Sequence, residues 1–140
     1  MALSNPTIIN VGKISDPRGN MSVLAYPGCM PFSIVRTDWI HGLPCGVNIG
    51  GNAYYKNEQL IVALSGVIDI TVSRGEEVGR FTLSRADVGL YIPPMTWCEI
   101  STASTNAVML IVSSTLYSPT DEILDRDSFN NIIRAEDVRL

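Results

Sequence analysis

Short apolar runs, each bounded by Gly, Pro, Asn or Asp, recur along the whole chain. "TIINVGKI" predicts a first strand, closed by the turn signal "SDPRGN". "MSVLAY" predicts a second strand and "FSIVRTDWI" a third, with "HGLPCG" as a loop after it. "QLIVALSG" and "VIDITVS" predict a hairpin around Ser65-Gly66, followed by a turn at "RGEE". "GRFTLS", "GLYIPP", "WCEISTAS" and "AVMLIVSS" supply the remaining strands. About nine short strands at such spacing predict an all-β sandwich or barrel. The tail "SPTDEILDRDSFNNIIRAED" differs: a Ser/Thr N-cap, early acidic residues and a rough helical spacing of Ile123, Leu124 and Ile132 predict one or two short helices packed outside.

Two details favour a jelly roll. Gly66 and Gly89 each sit beside a strong strand, where a closed barrel needs a tight turn. "YIPPMTW" places two prolines between strands, which a central ladder cannot accept. An ordinary sandwich without a pocket is the plainer alternative.

Composition narrows the class. The 140 residues, 46% hydrophobic and 17% charged, predict one folded domain over residues 1–140. A net charge of -4 disfavours non-specific nucleic-acid or anionic-membrane partners. Cys29, Cys45 and Cys98 form no C-x-x-C pair and are expected to be small buried apolar residues. "MALSNPTIIN" lacks the pattern of a signal peptide, and no apolar run is long enough to span a bilayer, so a reduced cytoplasmic setting is the expectation.

Familiar reaction chemistry is sparse. A metal needs three or four His, Asp or Glu ligands. The chain has one histidine, His41, read as a surface or loop residue, so neither a metal nor another cofactor is expected. No G-x-S-x-G elbow or Cys–His frame appears. Arg18 and Arg36 end a turn and a strand, where a guanidinium suits phosphate or carboxylate recognition, although each alone reads as a solvated arginine. In "GGNAYYK", alternation puts Asn52 and Tyr54 on one face and Ala53 and Tyr55 on the other; one pair must face the interior.

Taken together, "DPRGNMSVL", "PFSIVR", "EQLIVALSG", "GRFTLSRADVGLYIPPMTWCEI" and "YSPTDEILDRDSF" resemble the sugar 3,4-ketoisomerase cupins, the WxcM-like group, from about Ile8 to Phe129. The resemblance implies an all-β, cupin-type jelly-roll barrel with a short C-terminal helical tail. It also implies a homodimer with exchanged strands, a dTDP-linked 4-keto-6-deoxyhexose as ligand, a place in surface-polysaccharide sugar synthesis, and no metal. Arg18, Arg36 and Trp97 match positions in or near the family's ligand-binding region. The family's active-site pattern R-G-x-H-A-H-K falls here on Ile49 for the arginine, and on Asn52 and Tyr54 for the two histidines, with Ala53 kept between them.

That exchange changes the expected chemistry. Moving a carbonyl from C4 to C3 requires a base to remove the C3 proton and an acid to deliver one at C4. Imidazole suits both because its unperturbed pKa is about 6.5. An amide has no usable proton equilibrium, and a phenol near pKa 10 is a poor base at neutral pH. Three readings follow: a nucleotide-sugar binder with impaired or altered isomerase activity; an active isomerase or epimerase with a relocated base, Tyr54, Glu58 or His41; or a structural cupin without a small ligand.

Overall fold

The computed structural model describes residues 5–138. Twelve strands run in the order β1 (Thr7–Asn10), β2 (Ile14–Asp16), β3 (Gly19–Met21), β4 (Arg36–Leu43), β5 (Asn48–Tyr54), β6 (Gln59–Ser65), β7 (Ile68–Arg74), β8 (Glu77–Leu83), β9 (Val88–Ile92), β10 (Trp97–Thr102), β11 (Ala107–Ser113) and β12 (Glu122–Ile123), followed by helix α1 (Arg126–Val138). One sheet has the order β1-β9-β6-β11-β4 and the other β12-β5-β10-β7-β8, with β2 and β3 as a separate hairpin. The architecture is the expected cupin-type jelly roll with a C-terminal helix.

Three apolar clusters hold it together. The largest lies between the sheets and contains Ile61, Ala63, Ile68, Ile70, Leu90, Cys98, Ile100 and Met109, with Ile40, Ile49 and Ile111 packed against it. A second covers the outer side of the first sheet, where Met30 and Phe32 lie on Leu60, Val62, Tyr91 and Val112. A third lies beneath α1, where Phe129 and Ile133 close over Ala53, Trp97 and Ile123. Burying one such large apolar side chain contributes roughly 1.5–3 kcal/mol.

The chain pairs differently from the sequence expectation in several places. β6 and β7 are not a hairpin. β6 lies between β9 and β11, and β7 between β10 and β8. With both edges of β6 occupied and Leu60, Ile61, Val62 and Ala63 all buried, no edge remains for its sequence neighbour. The chain therefore crosses between sheets at Gly66, with φ +78°, where a Cβ would lie 2.5 Å from Ser104 Oγ and 2.9 Å from Ala107 Cα. The hairpin forms one strand later, between β7 and β8, with Arg74 opposite Glu77. Gly89 marks no turn; it lies inside β9, where a Cβ would meet the Leu60 side chain at 3.0 Å.

"MSVLAY" is not a strand beyond Met21; Leu24 instead packs onto the second cluster. The "HGLPCG" loop begins later than expected, because His41 to Leu43 continue β4. Cys98 is buried as expected, whereas Cys29 is half-buried and Cys45 exposed. In the tail, Glu122 and Ile123 form β12 rather than a helix. The cap is Asp125, not a Ser or Thr: its carboxylate accepts from Ser128 N at 2.9 Å and Ser128 Oγ at 2.7 Å.

Candidate active site at the barrel mouth

Register determines which side chains face inward. Opposite β10, Ile49 pairs with Ile100 and Asn52 with Cys98; Ile100 and Cys98 belong to the core between the sheets, and Ile49 packs against it. Simple alternation would put Ile49 and Asn52 on opposite faces. The extra residue is absorbed at Gly50 and Gly51, with φ +93° and +86°, where the ladder shifts between Cys98 and Glu99. The bulge re-phases the strand, so Asn52 and Tyr54 face the barrel while Ala53 turns outward beneath α1.

β12 then adds a side chain that sequence reasoning missed. Glu122 pairs with Tyr54 and so shares its face, while Ile123 pairs with Ala53 and is buried on the other. Asn52 Nδ2 donates to Glu122 Oε2 at 2.7 Å, and Tyr54 OH lies 3.5 Å from the same oxygen. Asn52 Nδ2 also lies 3.3 Å from Tyr54 OH. From outside, Tyr117 OH donates to Glu122 Oε1 at 3.0 Å. The only sequence signal was that Tyr117 and Glu122 both belong to the stretch "YSPTDEILDRDSF".

The rim is held by the same segment. Asp121 accepts from the backbone N–H groups of Lys56 at 2.9 Å and Asn57 at 3.1 Å. Buried Asn57 in turn accepts from the N–H groups of Ser114 and Thr115. A cavity of about 230 Å³ opens here, lined among others by Arg36, Asp38, Tyr54, Gln59, Tyr117 and Glu122. That is below the ~300–1,000 Å³ of pockets that enclose drug-sized ligands, so it suits one sugar ring rather than a whole nucleotide sugar.

Electrostatics divide the roles. Burial, then the nearby Glu122 carboxylate, push the Tyr54 phenol up to about 12, against a smaller opposing effect of the Asn52 hydrogen bond. Tyr54 is thus a neutral donor at physiological pH and not a base. Arg36 reaches the mouth, its Nε 3.0 Å from Asp38 Oδ1 and its guanidinium 5.6 Å from the centre of the Tyr117 ring. Arg36 thus stands in the cavity lining, tied to Asp38 through Nε alone.

Other sequence candidates lie elsewhere. Arg18 sits at the tip of the β2–β3 hairpin, its side chain 90% exposed and paired with Asp16 at 2.6 Å. Trp97 points away from Asn52 and Tyr54, between Phe129 and the Arg126 guanidinium, with its indole N–H unpartnered. His41 is exposed on β4, on the outward face opposite to Arg36, Asp38 and Ile40. Glu58 lies outside the cavity lining and accepts from Tyr91 OH at 2.6 Å. Burial pushes the Cys98 thiol up to about 12, leaving it an unreactive wall beside Asn52. Among the described residues no group of three or more His, Cys, Asp or Glu could hold a metal ion, and no helix is long and apolar enough to cross a membrane.

Comparison with known proteins decides the family. The FdtA family model, described as WxcM-like, C-terminal, matches residues 4–134. The chain belongs to this family. It is 33% identical over 126 residues to the TDP-4-oxo-6-deoxy-alpha-D-glucose-3,4-oxoisomerase of Aneurinibacillus thermoaerophilus, covering 90% of this chain and 91% of that one. Among solved structures it is similar to the TDP-quinovose 3,4-ketoisomerase WlaRB of Campylobacter jejuni, with a TM-score of 0.86, 30% identity, and 92% and 99% of the two chains covered. It is similar also to the 3,4-ketoisomerase QdtA of Thermoanaerobacterium thermosaccharolyticum, solved as a histidine-to-asparagine variant in complex with TDP-4-keto-6-deoxyglucose, with a TM-score of 0.90, 27% identity, and 96% and 97% covered. These homologues indicate a dTDP-sugar 3,4-ketoisomerase-like function for this family member.

Proposed function

We propose that this protein binds a TDP-linked 4-keto-6-deoxyhexose at the barrel mouth and carries out ketoisomerase chemistry that is impaired or altered relative to an imidazole-bearing site. The observation that carries the reading is Tyr54, which lines a cavity sized for one sugar ring and accepts a hydrogen bond from Asn52 behind it. A pocket of this kind can orient hydroxyls and a carbonyl. Asn52 and Tyr54 do not give and take protons near neutral pH as two imidazoles would, and each such group is worth about 10²–10⁴-fold in rate. The QdtA variant supports the binding half of the reading, since that protein holds its keto sugar with a histidine exchanged for asparagine. Arg36 is the ligand-contacting arginine at the mouth. In this reading the protein works in the cytoplasm in surface-polysaccharide sugar synthesis, as a homodimer.

A melting experiment with TDP tests the binding half. A ligand held only by the native state at about 100 times its Kd adds about 2.7 kcal/mol, so millimolar TDP should raise the melting temperature by several degrees. An unchanged melting temperature would remove the nucleotide-sugar reading.

A further inference from the structure

We propose that Glu122 is the proton acceptor of this site, taking over the base function for which Asn52 and Tyr54 are unfit. The inference rests on the nucleotide-sugar reading above and deepens it.

Position argues for it. Glu122 shares the inward face with Tyr54 and lines the cavity. Its backbone is fixed by pairing with β5, and the next residue, Ile123, anchors β12 beneath α1. Its carboxylate is oriented by three donors: Asn52 Nδ2 at 2.7 Å, Tyr117 OH at 3.0 Å and, more weakly, Tyr54 OH at 3.5 Å. An ionised carboxylate offers about four lone-pair positions, so one stays open towards the cavity. The hydrogen-bonded amide and phenols fix its aim, as a base working on carbon requires.

Elimination agrees. Asp38 is committed to Arg36 at 3.0 Å. Asp121 is committed to the N–H groups of Lys56 and Asn57. Glu58 bonds Tyr91, and His41 faces outward. Carboxylates serve as the base for proton abstraction beside a carbonyl in triosephosphate isomerase and ketosteroid isomerase, so the chemistry does not require imidazole.

The step balances. The C3–H bond breaks and its proton passes to Glu122. The released pair forms the C3–C4 double bond, and the C4 carbonyl oxygen takes the Tyr54 phenolic proton. Return of the Glu122 proton to C4, with the O3 proton passing to the Tyr54 phenolate, forms the C3 carbonyl and restores both side chains. No oxidant or reductant is needed.

The test is solvent exchange at C3. TDP-4-keto-6-deoxyglucose is incubated with the full chain in deuterium oxide, and loss of the H3 signal is followed by NMR against a protein-free control. The wild type should exchange H3 faster than the control. Glu122→Gln, nearly isosteric but without a basic oxygen, should lower the protein-dependent rate by about 10²-fold or more while keeping the TDP melting shift. Glu122→Asp, which withdraws the carboxylate by one methylene, should also lower it, by about 10²-fold. Exchange at the wild-type rate in either variant would overturn the assignment. So would a wild type that binds TDP yet exchanges no faster than the control, an outcome that leaves nucleotide binding standing. Absence of any TDP melting shift would instead bring down the nucleotide-sugar reading itself, and this assignment with it.

Discussion

Tyr54 limits what the mouth can do at neutral pH. Its phenol, raised to about 12 by burial and by Glu122, offers a proton but does not accept one until strongly alkaline conditions. Asn52 contributes only direction. Restoring imidazoles should therefore change rate more than binding. Asn52→His combined with Tyr54→His is expected to raise conversion of TDP-4-keto-6-deoxyglucose by about 10²-fold or more, read by NMR of the product sugar, with the TDP melting shift little changed. A double variant no faster than the parent would mean that these two positions do not face the reacting carbons. The identities and the shared face of Asn52 and Tyr54 were legible from alternation within "NAY". Glu122 was not, because nothing local distinguishes it from a first-turn acid of a helix. Its role comes from a pairing 68 residues away in the chain, where its carboxylate meets the Tyr54 hydroxyl.

Among the elements, the connections carry the geometry that hydrophobic patterning missed. The apolar runs that became β6 and β11 were plain in the sequence as continuous Leu, Ile and Val, and β7 as an alternation of buried Ile and Val with polar residues. Their pairing was not. A strand pair joined through Ser65 and Gly66 looks like a hairpin, whereas in the barrel both edges of β6 belong to other strands. Gly66 is the joint that allows the crossing. Gly66→Ala should cost about 1–3 kcal/mol from the left-handed backbone alone, and more from contact with Ala107 Cα at 2.9 Å. Urea denaturation measures this; a change below 0.5 kcal/mol, about the effect of an ordinary surface substitution, would mean the crossing is looser than drawn. The Gly50–Gly51 bulge has the same character. Two glycines in a row were visible, but their effect on facing depended on the partner strand.

At the scale of the whole molecule, the first sheet ends at β4, whose outward side carries Trp39, 64% exposed. The proposed homodimer gives this edge a use. Sedimentation at micromolar concentration should find twice the chain mass, and Trp39→Glu should shift the population towards monomer; a monomeric wild type would refute the pairing. The tail that closes the third apolar cluster also delivers Glu122 to the mouth. A chain truncated before this tail would lack that carboxylate and, at the same time, show bare grease around Ala53 and Trp97, so loss of the base and loss of solubility would arrive together.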